Sequence, residues 1–410
     1  MNLSGHIAVP AAVLAALILA GCRQKPAENP ADKAAAAKSE PLVIAVAAPF
    51  TGDSSEFGVQ IRMGVELAVD ELNDAGGIDG RPVKLQVEDD AGNPADAQNV
   101  ATKIAGNPKV LAVIGHFNSS CSLAGKGAYG EAKLVMLSPG STNVTVTRDS
   151  DYVFRNIFTD DFQGQSLARY AGEVLGLKKA AILFDNDDYG TGLKDSFKAK
   201  AVELGMTIVS ETAYGKDATD FRSQLTTVQA SSPEIILIAG LYKHAAVIAK
   251  QARELGINTQ LIGGDGVFSE QYLKLGGAAV EGTFVTCPFL FDLGGERGAK
   301  FADGFRGKFN REPDAWAALS YDAFQILATA IREKGATREG VLEFIREINS
   351  PATAFDGLTG KTFFDAEGDC RKAVQVAVVK DGKFVAAAKQ LGAEEQPVPA
   401  TAAGDITTSK

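Results

Sequence analysis

From Pro41 onward, short β-rich apolar runs alternate with amphipathic helical stretches, and this alternation restricts the chain to βαβ units built on parallel sheets. Leu42 to Ala47 is the first strand. A helix follows from about Gly58 to Ala75, with an apolar stripe at Ile61, Val65, Ala68, Val69 and Leu72, and Gly76 stops it. Val83 to Val87 alternates apolar and polar residues, the pattern of a strand with one wet face. Asn93-Pro94 supplies an N-cap and a first-turn proline for the next helix, and Val110 to Ile114 and Leu134 to Leu137 continue the sheet. Near residue 180 the order begins again: strand Ala180 to Phe184, helix Tyr189 to Leu204, strands Thr207 to Thr212 and Ile235 to Ala239, and a helix through Lys243 to Leu255. Two comparable α/β lobes are expected. Each first-strand exit carries an aromatic-glycine pair, Phe57-Gly58 and Tyr189-Gly190. Ligands of open parallel sheets sit beyond the carboxyl ends of the strands, so two facing lobes would present these aromatics to one shared cleft.

Composition excludes several functions. The 410 residues, 45% hydrophobic and 22% charged, suit a globular chain of about two to three domains. A net charge of -10 would repel nucleic acid, so no nucleic-acid partner is expected. Only His6, His116 and His244 are present, which leaves little for a metal cluster or an acid-base triad. His244, beside Lys243 at a helix start, reads as solvated or capping. His116, at a strand end beside a serine-rich loop, reads as a hydrogen-bonded structural residue. Gly357 to Thr362 resembles the end of a phosphate-binding loop, but Phe355 stands where the first glycine is required and no helix follows. Gly76 to Gly80 follows a helix, not a strand, and no G-x-S-x-G elbow occurs. No enzyme activity, cofactor or metal is expected.

The ends read differently from the body. Ile7 to Ala20 is apolar but too short to span a bilayer, and it runs into Leu19-Ala20-Gly21-Cys22. This resembles the lipobox of bacterial lipoproteins, which makes 1–21 a signal peptide and Cys22 the lipidated first residue, although no Lys or Arg precedes Ile7. Residues 22–40, rich in Ala, Pro and charge, read as a tether, and 391–410 as a disordered tail. Cys121, Cys287 and Cys370 remain in the body, enough for at most one internal bridge.

Two hydroxyl-rich strand exits carry the chemistry. Ile114 to Ser122 (IGHFNSSCS) runs a buried strand into a helix start, and Leu137 to Thr142 (LSPGST) repeats the pattern. Helix N-termini expose unpaired N–H groups and partial positive charge, so hydroxyls there form a site for a carboxylate; the alternative is a pair of helix caps. Ile262-Gly263-Gly264-Asp265-Gly266 adds one carboxylate in a glycine-rich turn of the second half, for which an ordinary Asp-Gly turn is the alternative.

The strings TGDSSEFG, LNDAGGIDGRPVKLQVEDDAGNP, VIGHFNSSCS, MLSPGSTN, DDYGTGL, AKQARELG and IGGDG occur in this order, over about Leu42 to Ala387. Together they resemble the periplasmic branched-chain (Leu/Ile/Val) amino-acid-binding proteins of ABC transporters. The resemblance implies a type I periplasmic binding fold: two Rossmann-like lobes with parallel central sheets, joined by three crossovers, that close on an amino acid. Lobe 1 would comprise 41–159 and 289–374, and lobe 2 would comprise 160–288 and 375–390. By the same resemblance Ser119 and Thr142 hold the ligand carboxylate, with backbone groups of Ser141 and Thr142 beside them. Gly140 would accept from the ammonium, Asp265 would pair with it, and Phe57, Tyr189 and Trp316 would line the cleft. Where the family often has two tyrosines, this chain has Leu241-Tyr242, which removes one phenol from the pocket. A cysteine pair of some relatives is here Gly92 and Asn118, so Cys121 inherits no bridge. The implied function is capture of a small aliphatic or branched-chain amino acid and delivery to permease subunits of an ABC importer, from a lipid-anchored position in the periplasm or at the cell surface. A sensor that signals through the same cleft, and a different ligand such as an amide, urea or aromatic acid, are the rival readings.

Overall fold

A computed structural model describes residues 40–391. The expected signal peptide, Cys22, and nearly all of the tether and tail lie outside the described residues. Leu391, expected to open the tail, is instead buried in the core of the second half.

The first sheet is formed by β1 (Leu42–Ala48), β2 (Val83–Asp89), β3 (Val110–Gly115), β4 (Val135–Ser138) and β5 (Val153–Arg155), all parallel and ordered β2-β1-β3-β4-β5. Position in that order explains the sequence patterns. β1 lies between two strands under helices on both faces and is apolar throughout, whereas β2 is the edge and alternates. Its helices are α1 (Ser55–Asp74), α2 (Pro94–Ala105) and α3 (Ser119–Glu131). Asn93 caps α2 as expected, its side chain accepting from Ala95 N–H.

The chain then passes through α4 (Asp160–Arg169) into a second sheet. There β6 (Lys179–Asp185), β7 (Thr207–Tyr214), β8 (Ile235–Ala239), β9 (Gln260–Gly263) and β10 (Phe284–Cys287) are parallel in the order β10-β9-β8-β6-β7. They are connected through α5 (Asp188–Glu203), α6 (Arg222–Ala230), α7 (Tyr242–Glu254) and α8 (Glu270–Gly276). After β10 the chain returns to the first sheet as α9 (Gly295–Phe309), α10 (Ala315–Lys334) and α11 (Arg338–Glu347). The Ser320 hydroxyl of α10 donates to Ile61 O of α1 at 2.9 Å, and Arg338 donates to Val110 O and Ala132 O, each at 2.9 Å, beneath the sheet. A hairpin, β11 (Phe355–Gly357) and β12 (Gly360–Thr362), precedes the last passage to β13 (Gln375–Lys380) and β14 (Lys383–Ala386). These two strands add antiparallel to the β10 edge, an edge the helix-strand alternation does not reveal.

The phosphate-loop lookalike is the tip of the β11-β12 hairpin, and its N–H groups do bind an anion. That anion is the carboxylate of Asp322 on α10, which accepts from Leu358 N–H at 2.7 Å and Thr359 N–H at 2.8 Å. His244 departs from expectation: it is buried, with Nε2 against Lys216 O at 2.9 Å. His116 is fully buried between Asp90 (Nδ1 to Oδ2, 2.6 Å) and the Tyr129 hydroxyl (Nε2, 2.9 Å), a structural chain of hydrogen bonds. Cys121, Cys287 and Cys370 are all buried and unbridged.

Candidate functional site

The carboxyl ends of both sheets face one another across a narrow, largely enclosed cleft. From the first sheet come Phe117, Asn118, Ser119 and Gly140; from the second, Asp187, Tyr189, Leu241, Asp265 and Gly266. Five of the nine expected site residues, Ser119, Gly140, Tyr189, Leu241 and Asp265, line the cavity, while Ser141 does not and is committed elsewhere. Its N–H is given to the Ser138 hydroxyl (2.9 Å), and its own hydroxyl meets Ser122 Oγ (2.7 Å) and Phe117 O (2.9 Å).

Phe57 and Trp316 stand one layer behind the wall. Both are fully buried, and their rings lie 4.3 and 5.1 Å from that of Phe117, which takes the cavity-facing place. The aromatic-glycine repeat is thus real in the backbone and unequal in the side chains. A Cβ on Gly58 would sit 1.9 Å from Pro49 O, and one on Gly190 2.2 Å from Asp185 O, so in both lobes glycine lets the first helical turn abut the end of the first strand. Tyr189 then enters the cavity, while Phe57 goes into the core.

The hydroxyl loops are held from below. Arg155, fully buried on β5, donates to Ser141 O and Asn143 O at 2.8 Å each and pairs with Asp369 at 2.8 Å. This fixes the turn in which Thr142 lies, buried, with its hydroxyl beside the Asp160 carboxylate but in no hydrogen bond of good geometry among the described residues. Ser119, the first residue of α3, accepts from Asn143 N–H at 3.2 Å and so ties the two loops together at the helix N-terminus.

On the facing lobe the Tyr189 hydroxyl donates to Asp265 Oδ1 at 2.7 Å and accepts from Gly266 N–H at 3.0 Å. Asp265 is 2% exposed. Burial lifts its pKa to about 6, against the pull of the Gln163 amide and the Tyr189 hydroxyl. Asp160, at the start of α4 where the chain crosses between lobes, is also buried, and neither of its carboxylate oxygens has a partner of good geometry. Burial raises it well above the ordinary carboxylate range; the nearby Thr142 hydroxyl opposes this and the Asp265 charge adds to it. Among the described residues, no Lys, Arg or His lines the cavity. An arrangement of hydroxyls at a helix N-terminus on one wall, and carboxylates with a phenol on the other, suits a ligand with a negative and a positive end.

Sequence reasoning missed Phe117, Asn118, Asp187 and Gly266 on the wall and Asp160 beside it. Phe117 and Asn118 sit within the hydroxyl-rich string itself, and Asp187 is the N-cap two residues before Tyr189; position in those motifs was the available signal. Asp160 follows Thr159, an N-cap, and nothing local marks it.

The lobes touch across the cleft. Lys243 pairs with Asp53 at 2.5 Å, the Asn143 amide donates to Asp188 O at 2.6 Å, and Lys216 donates to Gly92 O at 2.9 Å.

Known proteins share this architecture. The chain is 34% identical to an amino acid binding protein of Pseudomonas aeruginosa, over 83% of this chain and 91% of the relative. It is also 34% identical to Leu/Ile/Val-binding protein homolog 2 of Brucella abortus, over 80% and 87%. Among solved structures, the leucine binding protein LivK of Thermotoga maritima superposes with a TM-score of 0.79 at 34% identity, covering 85% of this chain and 98% of that one. LivJ of Streptococcus pneumoniae, in complex with isoleucine, gives 0.80 at 30% identity, over 84% and 98%. The family model described as periplasmic binding protein matches residues 41–383, and with two α/β lobes closed over a cleft the chain belongs to that family.

Proposed function

We propose that this protein captures a small α-amino acid between its lobes and presents the closed form to the permease subunits of an ABC importer, without chemical change to the ligand. One observation carries this: Ser119 at a helix N-terminus and the Tyr189-Asp265 pair lie on opposite walls of one cavity, so the first lobe can take the carboxylate of a zwitterion and the second can supply the counter-charge of its ammonium. Ser119 and the Thr142 hydroxyl take the carboxylate, while Gly140 O and Asp265 take the ammonium. Leu241 and Phe117 supply an apolar wall for the side chain. Relatives named for Leu, Ile and Val support an α-amino acid as the ligand. Closure follows because only a ligand touching both lobes has differential affinity for the closed form.

The lobes are 41–159 with 289–374 and 160–288 with 375–390, and Cys22 carries the acyl chains that hold the protein at a bacterial membrane. No helix among the described residues is long and apolar enough to cross one. Replacing Cys22 by serine should move the protein from the membrane fraction to the soluble fraction. A thermal-shift panel of the common α-amino acids tests the ligand: a saturating ligand at about 100 times its Kd adds roughly 2.7 kcal/mol of stability. A panel in which none of them raises the melting temperature refutes the proposal.

A further inference from the structure

The two ionic ends of an amino acid use only part of the cavity wall. With Ser119 and Gly140 on one side and Tyr189, Asp265 and Gly266 on the other so engaged, Phe117, Leu241, Asn118 and Asp187 remain to face the ligand side chain. The first two are apolar and the last two are not. Asp187 caps α5, its Oδ1 accepting from Gly190 N–H at 2.7 Å, and the residue lines the cavity. Burial, reinforced by Asp185, raises its pKa to about 7, and among the described residues no basic side chain lines the cavity to neutralise it. Asn118 accepts from the Ser54 hydroxyl at 3.3 Å through Oδ1, which leaves its amide nitrogen as a donor. An acceptor from one lobe and a donor from the other match the two halves of a carboxamide.

Resting on the amino-acid reading above, we infer that Asp187 is a specificity-determining residue that favours a small amino acid whose side chain ends in a carboxamide and rejects one that ends in a carboxylate. Its carboxylate accepts from the ligand amide, and its charge repels a second anion in a cavity without cations.

Leucine, asparagine and aspartate are close in shape and differ in side-chain polarity and charge, so calorimetric titration of all three reads this directly. Wild-type protein is expected to bind asparagine at least tenfold more tightly than aspartate. Serine and asparagine are N-caps of similar quality to aspartate, so Asp187→Ser and Asp187→Asn keep the start of α5. Asp187→Ser should lower the asparagine-to-leucine affinity ratio at least tenfold, and Asp187→Asn should lower the asparagine-to-aspartate ratio by a similar factor. Unchanged ratios in both variants, or wild-type protein that binds leucine but not asparagine, overturn the inference and leave the amino-acid reading standing. Absence of binding by every α-amino acid overturns both.

Discussion

Asp265 opposes closure of the empty cleft, and replacing it with asparagine should remove that opposition together with the ligand's counter-ion. In the closed arrangement the carboxyl is 2% exposed and its pKa rises from 3.8 to about 6. In an open form, wetted by solvent, it returns toward 3.8. The closed form therefore binds a proton more tightly than the open one. Below about pH 4 both forms are protonated and Asp265 exerts no bias; above about pH 6 the full penalty falls on the closed form. A shift of roughly two units, at about 1.36 kcal/mol each, gives about 3 kcal/mol, or on the order of a hundredfold in the closed-to-open ratio. Asparagine keeps an oxygen for the Tyr189 hydroxyl and the Gly266 N–H but carries no charge. Ligand-free Asp265→Asn should then be more closed than the wild type at pH 8, and the two should converge as pH falls toward 4. Fluorescence energy transfer between dyes on the two lobes reads the closed fraction. Amino-acid affinity should fall about 30-fold or more, because the ammonium loses a buried charge partner. A wild-type closed fraction that does not change between pH 8 and pH 4, or an Asp265→Asn variant that binds as the wild type does, would refute the reasoning.

Three further outcomes follow from the same geometry. Ser119→Ala and Thr142→Val each remove a hydroxyl from a charged ligand group and should weaken binding about 10- to 100-fold by calorimetry; Thr142→Val should leave the melting temperature nearly unchanged, whereas Ser119→Ala, which strands Asn143 N–H, should also cost about 1–3 kcal/mol of stability. Lys243→Ala breaks the Asp53 contact across the cleft mouth; with both side chains more than a third exposed, the effect should stay under about 1 kcal/mol and vanish at high salt, and a larger effect in Kd would show that the contact is better shielded than it looks. Arg155→Met leaves Asp369 with only Arg148 and the Thr147 hydroxyl and frees the turn from Ser141 to Asn143, so unfolding stability should drop by about 3 kcal/mol and ligand affinity should fall with it.

Much of the architecture could be read from local pattern, because the features that mark it are local. A fully apolar run such as Leu42–Ala48 marks a central strand, an alternating one such as Val83–Asp89 marks an edge, and the repeated order near residue 180 marks a second lobe. Ser119 and Asp265 were legible because hydroxyls at a helix start and a carboxylate at a strand exit are positions defined by backbone alone. Contacts between distant segments decided the rest. Phe57 and Tyr189 occupy equivalent backbone sites, yet Phe117 and Trp316 draw Phe57 into the core while Asp265 holds Tyr189 in the cavity. His244 is buried in the folded lobe, where its Nε2–H donates to Lys216 O, 28 residues away. Strands β13 and β14 join the second sheet after a long excursion through the first. Periodicity tells which face of an element is apolar, but which partner covers it, and so which side chain is left to meet a ligand, is settled only when residues far apart in the chain pack together.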